Sequence, residues 1–277
     1  MMSTLIQILE IALPLMYGLV FAVYVRHFLT ESGQKSQSFV GSRLLYGVLG
    51  IHLSYLVMHG VNIEHIPVAS RAEFLSLVAF CIALVYAFVE RSQREADTGV
   101  FFIALAIATQ TWSSILIKPA QPPELLTEYP VYGIHVLFTV FGFTALAVSA
   151  LYALMYILLS RQLKSRNLGV IFRRLPPLSS LEKMSRLATL CGIIFLGIGL
   201  ATGHFVATYA LDDFNFLDPK IIITYVAWFA YAVGYAVVKI RRLSGLRMGY
   251  LALGAYLLLI ASMVVVNTFL SSFHSFQ

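Results

Sequence analysis

The chain has 277 residues, of which 59% are hydrophobic and only 12% charged, with a mean hydropathy of +0.83. A water-soluble domain of that length cannot bury so much apolar surface in one core, so the composition excludes one. The net charge of +6 invites a nucleic-acid partner, but the basic residues fall in alternate connections between apolar runs, and that distribution rejects one.

A membrane-spanning helix needs about 20 apolar residues. Eight such runs are present, at 5–26, 44–63, 72–90, 99–117, 131–160, 187–209, 219–238 and 248–270. They predict an all-α integral membrane protein: a bundle of about eight transmembrane helices forming one membrane domain over 1–277 within the lipid bilayer. If the first connection is inside, sixteen of the nineteen Lys and Arg lie inside, and only Arg71, Lys118 and Lys220 lie outside. This positive-inside bias places both termini on the outer, periplasmic side of a multi-pass protein of the bacterial inner (plasma) membrane. Arg26, the first basic residue, follows the first run, so no cleavable signal peptide is expected. Cys81 and Cys191 lie in different apolar runs and there is no CxxCH, so no covalently attached haem is expected.

In helix 1, Pro14 predicts a kink, with neighbouring helices satisfying the carbonyl it frees. In helix 2, His52, Tyr55, His59 and Asn62 share one face. A polar stripe in a membrane helix faces the bundle interior, because polar groups are costly in lipid. His52 and His59 stand about 10 Å apart along the axis, too far to bind one metal ion together. Each could ligate a separate haem, or one could ligate while the other hydrogen-bonds; the alternative is a structural hydrogen-bonded pair. Ser70 and Glu73 then read as a capping box opening helix 3. Helices 3 and 4 read as plain apolar spans joined by a charged inner loop that begins at Glu90. The polar spot Gln110–Thr111–Trp112 is unremarkable.

A proline-rich connection leads to His135 at the outer end of helix 5. From there His135, Gly142, Ser149 and Tyr156 recur every seven residues, with Thr139 alongside, a face of small and polar residues that marks a helix–helix contact. Helix 5 is long enough to project beyond the inner leaflet. The basic connection 161–186 serves topology and anionic-lipid contact, or docks a cytosolic partner. Helix 6 carries Gly192, Gly197, Gly199 and Gly203, the last two forming a GxxxG that lets backbones approach. It ends at His204.

The stretch Gly203–Lys220 reads as an outward-facing aromatic loop around which the helices gather. Tyr209, Phe214 and Phe216 suit a flat hydrophobic ligand such as haem; the alternative is an amphipathic loop at the lipid headgroups. Asp218 is placed at the N-cap and Pro219 at the first position of helix 7, followed by Lys220. Helix 8 aligns Tyr256, Met263, Asn267, Ser271 and His274. Axial haem ligation needs a neutral imidazole nitrogen. His135 and His274 are the best pair, because each caps a polar stripe, while His59 and His204 also map to the outer side. Zinc would want about four ligands, and the cysteines are in the wrong places. A solute transporter would carry charges at mid-membrane and an inverted repeat, and neither is read here.

From about Tyr132 to the C-terminus, with weaker likeness before it, the chain resembles the cytochrome c assembly family of membrane haem-handling proteins, the CcsA, CcmC and HemX-like group. The resemblance rests on FNFLDPKIIITYVAWFAYAVGY against the family's tryptophan-rich loop with its WDPKE-like ending, on YGIHVLFTVFGF, and on VNTFLSSFHSF. Phe214, Phe216 and Leu217 stand where the family has tryptophans, Ile221 replaces its Glu, and Ala236 or a neighbour stands where many members have a membrane histidine. This fits a divergent HemX-like or YpjD-like member better than a full synthase. The resemblance implies non-covalent haem b held by His135 and His274, with aromatics of the 209–216 loop packing on the porphyrin. It further implies that Asp218 and Pro219 fix the loop and that Lys220 partners a propionate, with His52, His59 or His204 as further ligand candidates. The implied role is haem handling in cytochrome c maturation or haem homeostasis, beside other proteins of those pathways, by delivery or binding more than by catalysis. The alternative is a haem-free regulatory or scaffold membrane protein working through 161–186.

Overall fold

The computed structural model describes residues 2–30, 35–68, 70–93, 96–116, 130–166, 169–210, 219–243 and 245–269. Among them every regular element is a helix: α1 Met2–Leu29, α2 Lys35–Ile63, α3 Arg71–Gln93, α4 Gly99–Leu116, α5 Pro130–Lys164, α6 Val170–Arg174, α7 Leu178–Ala210, α8 Pro219–Ile240 and α9 Leu246–Phe269. Seven are long and apolar enough to cross a membrane, and α9 adds the shorter apolar stretch Leu246–Ala261. The helical membrane bundle expected from the apolar runs is therefore what the chain forms. At 35 residues, α5 is about 52 Å long, well beyond the roughly 30 Å hydrocarbon core.

The chain makes two compact units. One holds Met1–Pro123 with Arg173–Leu175, the other Glu124–Phe172 with Pro176–Gln277. In the first, α1 packs on α2 and α4, and α3 packs on α4 and α2. Side chains such as Ile11, Leu15 and Phe88, all more than 70% exposed, form an outer apolar surface that lipid solvates in a spanning bundle.

Local chemistry explains how these helices start and continue. α1 runs as helix through Pro14, which cannot donate to the carbonyl of Glu10. The Ser114 hydroxyl of α4 donates to that carbonyl instead, at 2.7 Å, which is the neighbour's help the sequence called for. At the start of α3 the capping box is complete: the Glu73 amide donates to Ser70 Oγ at 3.1 Å, and the Ser70 amide donates to Glu73 Oε2 at 3.2 Å. α8 begins at Pro219, where its fixed φ suits a first turn.

In the second unit α5 and α7 lie along each other over most of their length, with α9 against α5 and α8 against α7 and α9. Leu146, Leu196, Tyr231 and Leu259 form its buried core, with Trp228 packed beside them. The Trp228 indole donates to the Ile193 carbonyl at 2.9 Å, so the large ring packs on the core without stranding its N–H.

Candidate functional site

The seven-residue stripe of α5 meets α7 at each of its first three steps. Ser149 engages Thr189 Oγ1 at 2.7 Å and donates to the Ser185 carbonyl at 2.9 Å. One step on, Gly142 closes on Leu196: a Cβ there would come within 2.8 Å of the Leu196 amide nitrogen. At the third step stands His135. Its Nδ1 lies 2.6 Å from the Gly199 carbonyl, and a Cβ on Gly203 would run into the imidazole ring. The GxxxG of α7 is thus the seat of a histidine. Gly199 supplies the carbonyl that orients the ring, and Gly203 supplies the room.

This seat determines the chemistry of the ring. A carbonyl only accepts, so Nδ1 must carry the proton and the lone pair stands on Nε2. A neutral imidazole anchored through Nδ1–H to a backbone carbonyl is the form in which histidine ligates iron. His135 is half-buried, and buried Tyr132 lies 5.7 Å from it, centroid to centroid. Past Gly203, His204 meets the edge of Tyr225 on α8 at 6.2 Å. Phe205 and Tyr209, exposed by 54% and 73%, pair with each other at 4.7 Å. This end of the second unit therefore gathers two histidines and an aromatic surface. Phe214, Phe216, Asp218 and His274 lie outside the described residues, and Pro219 and Lys220 enter only as the first turn of α8. Among the described residues no three His, Cys, Asp or Glu side chains gather as a bare metal site.

His52 and His59 belong to the N-terminal unit. His52 is fully buried, with Nδ1 3.0 Å from the Tyr17 hydroxyl and Nε2 3.0 Å from Ser76 Oγ. Ser76 in turn donates to Gln110 Oε1 at 3.1 Å. Both ring nitrogens of His52 thus face protein hydrogen-bond partners. His59 Nε2 lies 3.1 Å from Glu73 Oε1, Tyr55 stacks parallel to its ring at 5.7 Å, and Nδ1 is buried without a hydrogen-bond partner.

Sequence reading missed three members of this unit. Gln110, read as unremarkable, is 1% exposed and ends the His52 network. Glu90, read as the start of a charged loop, is 7% exposed and accepts from the hydroxyls of Tyr24 and Ser42, each at 2.5 Å. Tyr17 was not singled out at all. Glu10, Glu73 and Glu90 all sit on candidate spans, Glu73 and Glu90 near the two ends of theirs. A signal was available: Glu10, Tyr17 and Tyr24 are spaced by seven along α1.

Comparison with known proteins places the chain among membrane proteins of one kind. The family described as cytochrome C assembly protein matches residues 68–274. The inner membrane protein YpjD of Escherichia coli (strain K12) is 27% identical over 185 residues, covering 64% of this chain and 69% of the relative. Protein HemX of Brevibacillus brevis is 24% identical over 195 residues, covering 66% and 69%. The cytochrome c biogenesis protein CcsA of Chlorella vulgaris is 22% identical over 238 residues, covering 72% and 74%.

Proposed function

Since the chain belongs to the cytochrome c assembly protein family, with the role in cytochrome c biogenesis or haem handling which that membership supports, we propose that it binds haem b non-covalently and hands it on or holds it. It does so at the outer face of a bacterial inner membrane, with both termini on that side. The observation that carries this reading is the seat of His135. Its Nδ1 faces the Gly199 carbonyl at 2.6 Å, an arrangement that presents Nε2 to an iron. His135 and His274 would hold the haem iron. Tyr209, Phe214 and Phe216 would cover the porphyrin, Asp218 and Pro219 would set the loop that carries them, and Lys220 would meet a propionate. His204, one residue past Gly203, stands beside this site as a reserve ligand.

Bound haem would supply an iron that imidazole can ligate. The chain's part would be to hold the His135 tautomer and to shield the ring with aromatics. A haem-free scaffold acting through 161–186 is less favoured. Arg161 donates to the Tyr250 hydroxyl at 3.1 Å, Arg186 to the Leu243 carbonyl at 2.6 Å, and Arg174 to the Thr30 carbonyl. Three of the basic side chains such a scaffold would offer a partner are thus used within the protein.

The deciding experiment is the absorption spectrum of detergent-purified protein, oxidised and reduced, for wild type and the His135→Ala/His274→Ala double variant. A Soret band in wild type that is lost or shifted in the variant is expected. A band that persists unchanged moves the site to other ligands. No band in wild type after haem is supplied during expression overturns the haem reading.

A further inference from the structure

The core of the N-terminal unit holds more titratable side chains than helix packing requires, and they stand in file. Glu10, Tyr17 and Tyr24 of α1 are seven residues apart, so each lies about 10.5 Å further along the axis than the last. Each meets polar partners on the helices around it. At the first level the Tyr55 hydroxyl points to Glu10 Oε1 at 3.4 Å, and Tyr55 lies flat on His59, which pairs with Glu73. At the second, Tyr17, His52, Ser76 and Gln110 form one connected chain. At the third, Tyr24 and Ser42 both donate to Glu90, while Tyr86 stands edge-on to Tyr24 at 5.6 Å and donates to the Ala96 carbonyl at 3.2 Å. Beyond Glu90, Asp97 pairs with His27 and Arg174, each at 3.4 Å.

Two features show that this file is not simply glue. Buried polar atoms in a membrane protein are normally satisfied, and each exception calls for water or an exchangeable proton. His59 Nδ1 near one end and Thr98 Oγ1 near the other are buried without hydrogen-bond partners, and Thr98 is only 3% exposed. Glu90 is the second feature: a carboxyl on a candidate span whose two oxygens accept from neutral hydroxyls. Ionisable groups in membrane spans mark substrate or ion pathways and proton relays, among other functional roles. Between the second and third levels stand the fully buried Val20 and Leu45, and between the first and second stands the fully buried Leu13, packed with Tyr55 and Leu56; each gap is about two helical turns deep.

We propose that the N-terminal unit relays protons along this file. Glu73, His59 and Glu10 form one port, Tyr17 and His52 the middle station, and Glu90 with Tyr24 and Ser42 the other port. The apolar layers at Leu13 and at Val20 with Leu45 are the gates that water must enter. One proton binds a carboxylate at one port for each proton released at the other. In between, O–H and N–H bonds reform in turn and no electron moves. The middle station has a defined sense: Tyr17 donates to His52 Nδ1, His52 Nε2–H to Ser76, and Ser76 to Gln110, whose amide oxygen only accepts. A second proton on His52 reverses the Tyr17 bond and frees that hydroxyl to donate across the gate at Val20 and Leu45. Every group named lies in the N-terminal unit, so the proposal does not rest on the haem reading.

The test uses full-length protein in phospholipid vesicles loaded with a pH-sensitive dye, under a potassium diffusion potential imposed with valinomycin. Wild type is expected to change the internal pH faster than protein-free vesicles. Glu90→Gln and Glu73→Gln are expected to slow it about tenfold or more, as loss of a positioned proton carrier does. The lipid-facing Phe88→Leu, two residues from Glu90, leaves the rate unchanged. Tyr24→Phe, which keeps ring and carboxylate and removes one hydroxyl, serves if Glu90→Gln fails to elute as a helical, monodisperse protein. Wild-type vesicles no faster than empty ones, or Glu90→Gln and Tyr24→Phe as fast as wild type, overturn the proposal.

Discussion

The two units hold their helices together with a different balance of contacts. In the N-terminal unit the buried contacts are made by long polar side chains: Tyr17 on His52, Ser76 on Gln110, Tyr24 and Ser42 on Glu90. In the second unit glycines bring the helices close beside the Ser149–Thr189 hydrogen bond, with Gly142 and Gly192 closing on Leu196 and Leu146, and Gly203 on His135. Lipid gives no hydrophobic drive to helix association, so close packing and interhelical hydrogen bonds are the means available. The consequence is functional. The hydrogen-bonded core of the N-terminal unit carries titratable groups, whereas the glycine-lined contact of the second leaves room to seat one histidine.

The difference can be broken at four points. The largest effect is expected from Gly142→Leu, because the obstructing atom is the Leu196 backbone amide and cannot swing aside. Overpacking of this kind costs about 3 kcal/mol, measured by denaturant unfolding in detergent, and an effect near zero would mean that α5 and α7 are not in contact there. Next, His52→Leu strands the Tyr17 hydroxyl and breaks the link to Ser76. A loss of about 2 kcal/mol is expected for a buried group left unpaired, with Tyr17→Phe/His52→Leu together costing less than the sum of the two alone. Additive losses would show that the two side chains are not coupled.

Ser114→Ala removes the donor to the Glu10 carbonyl, and about 1 kcal/mol should go with it. Replacing Pro14 by Ala in the same background should restore most of that loss, because the amide it creates bonds the same carbonyl. Failure of the restoration would break the explanation offered for Pro14. The smallest effect, and the one of opposite sign, is Gly47→Ala. Nothing lies within 4 Å of a Cβ at Gly47, so alanine should stabilise α2 by about 0.5 kcal/mol. Destabilisation would reveal a partner on that face.

Several features were legible in the sequence because they are local or periodic. The Ser70–Glu73 capping box spans one helical turn, Pro219 opens its helix in its own first position, and the stripe of His135, Gly142 and Ser149 shows the contact face of α5 by its seven-residue period. The aromatic end of α7 was legible as composition. Which polar groups meet was not. Tyr17 finds His52 from 35 residues away and Tyr24 finds Glu90 from 66 away, and nothing in either neighbourhood specifies the partner.

Sequence alone determined that this chain lives in a membrane as a helical bundle, where several helices begin and which face of α5 makes contact. Each of those follows from the transfer cost of polar groups and from bonds between residues a turn or two apart. Only the tertiary structure decided that Gly203 makes room for the His135 ring, that Gln110 closes the His52 network and that Glu90 is buried. These depend on how neighbouring helices are rotated and set along their axes, and the packing of each unit as a whole fixes that.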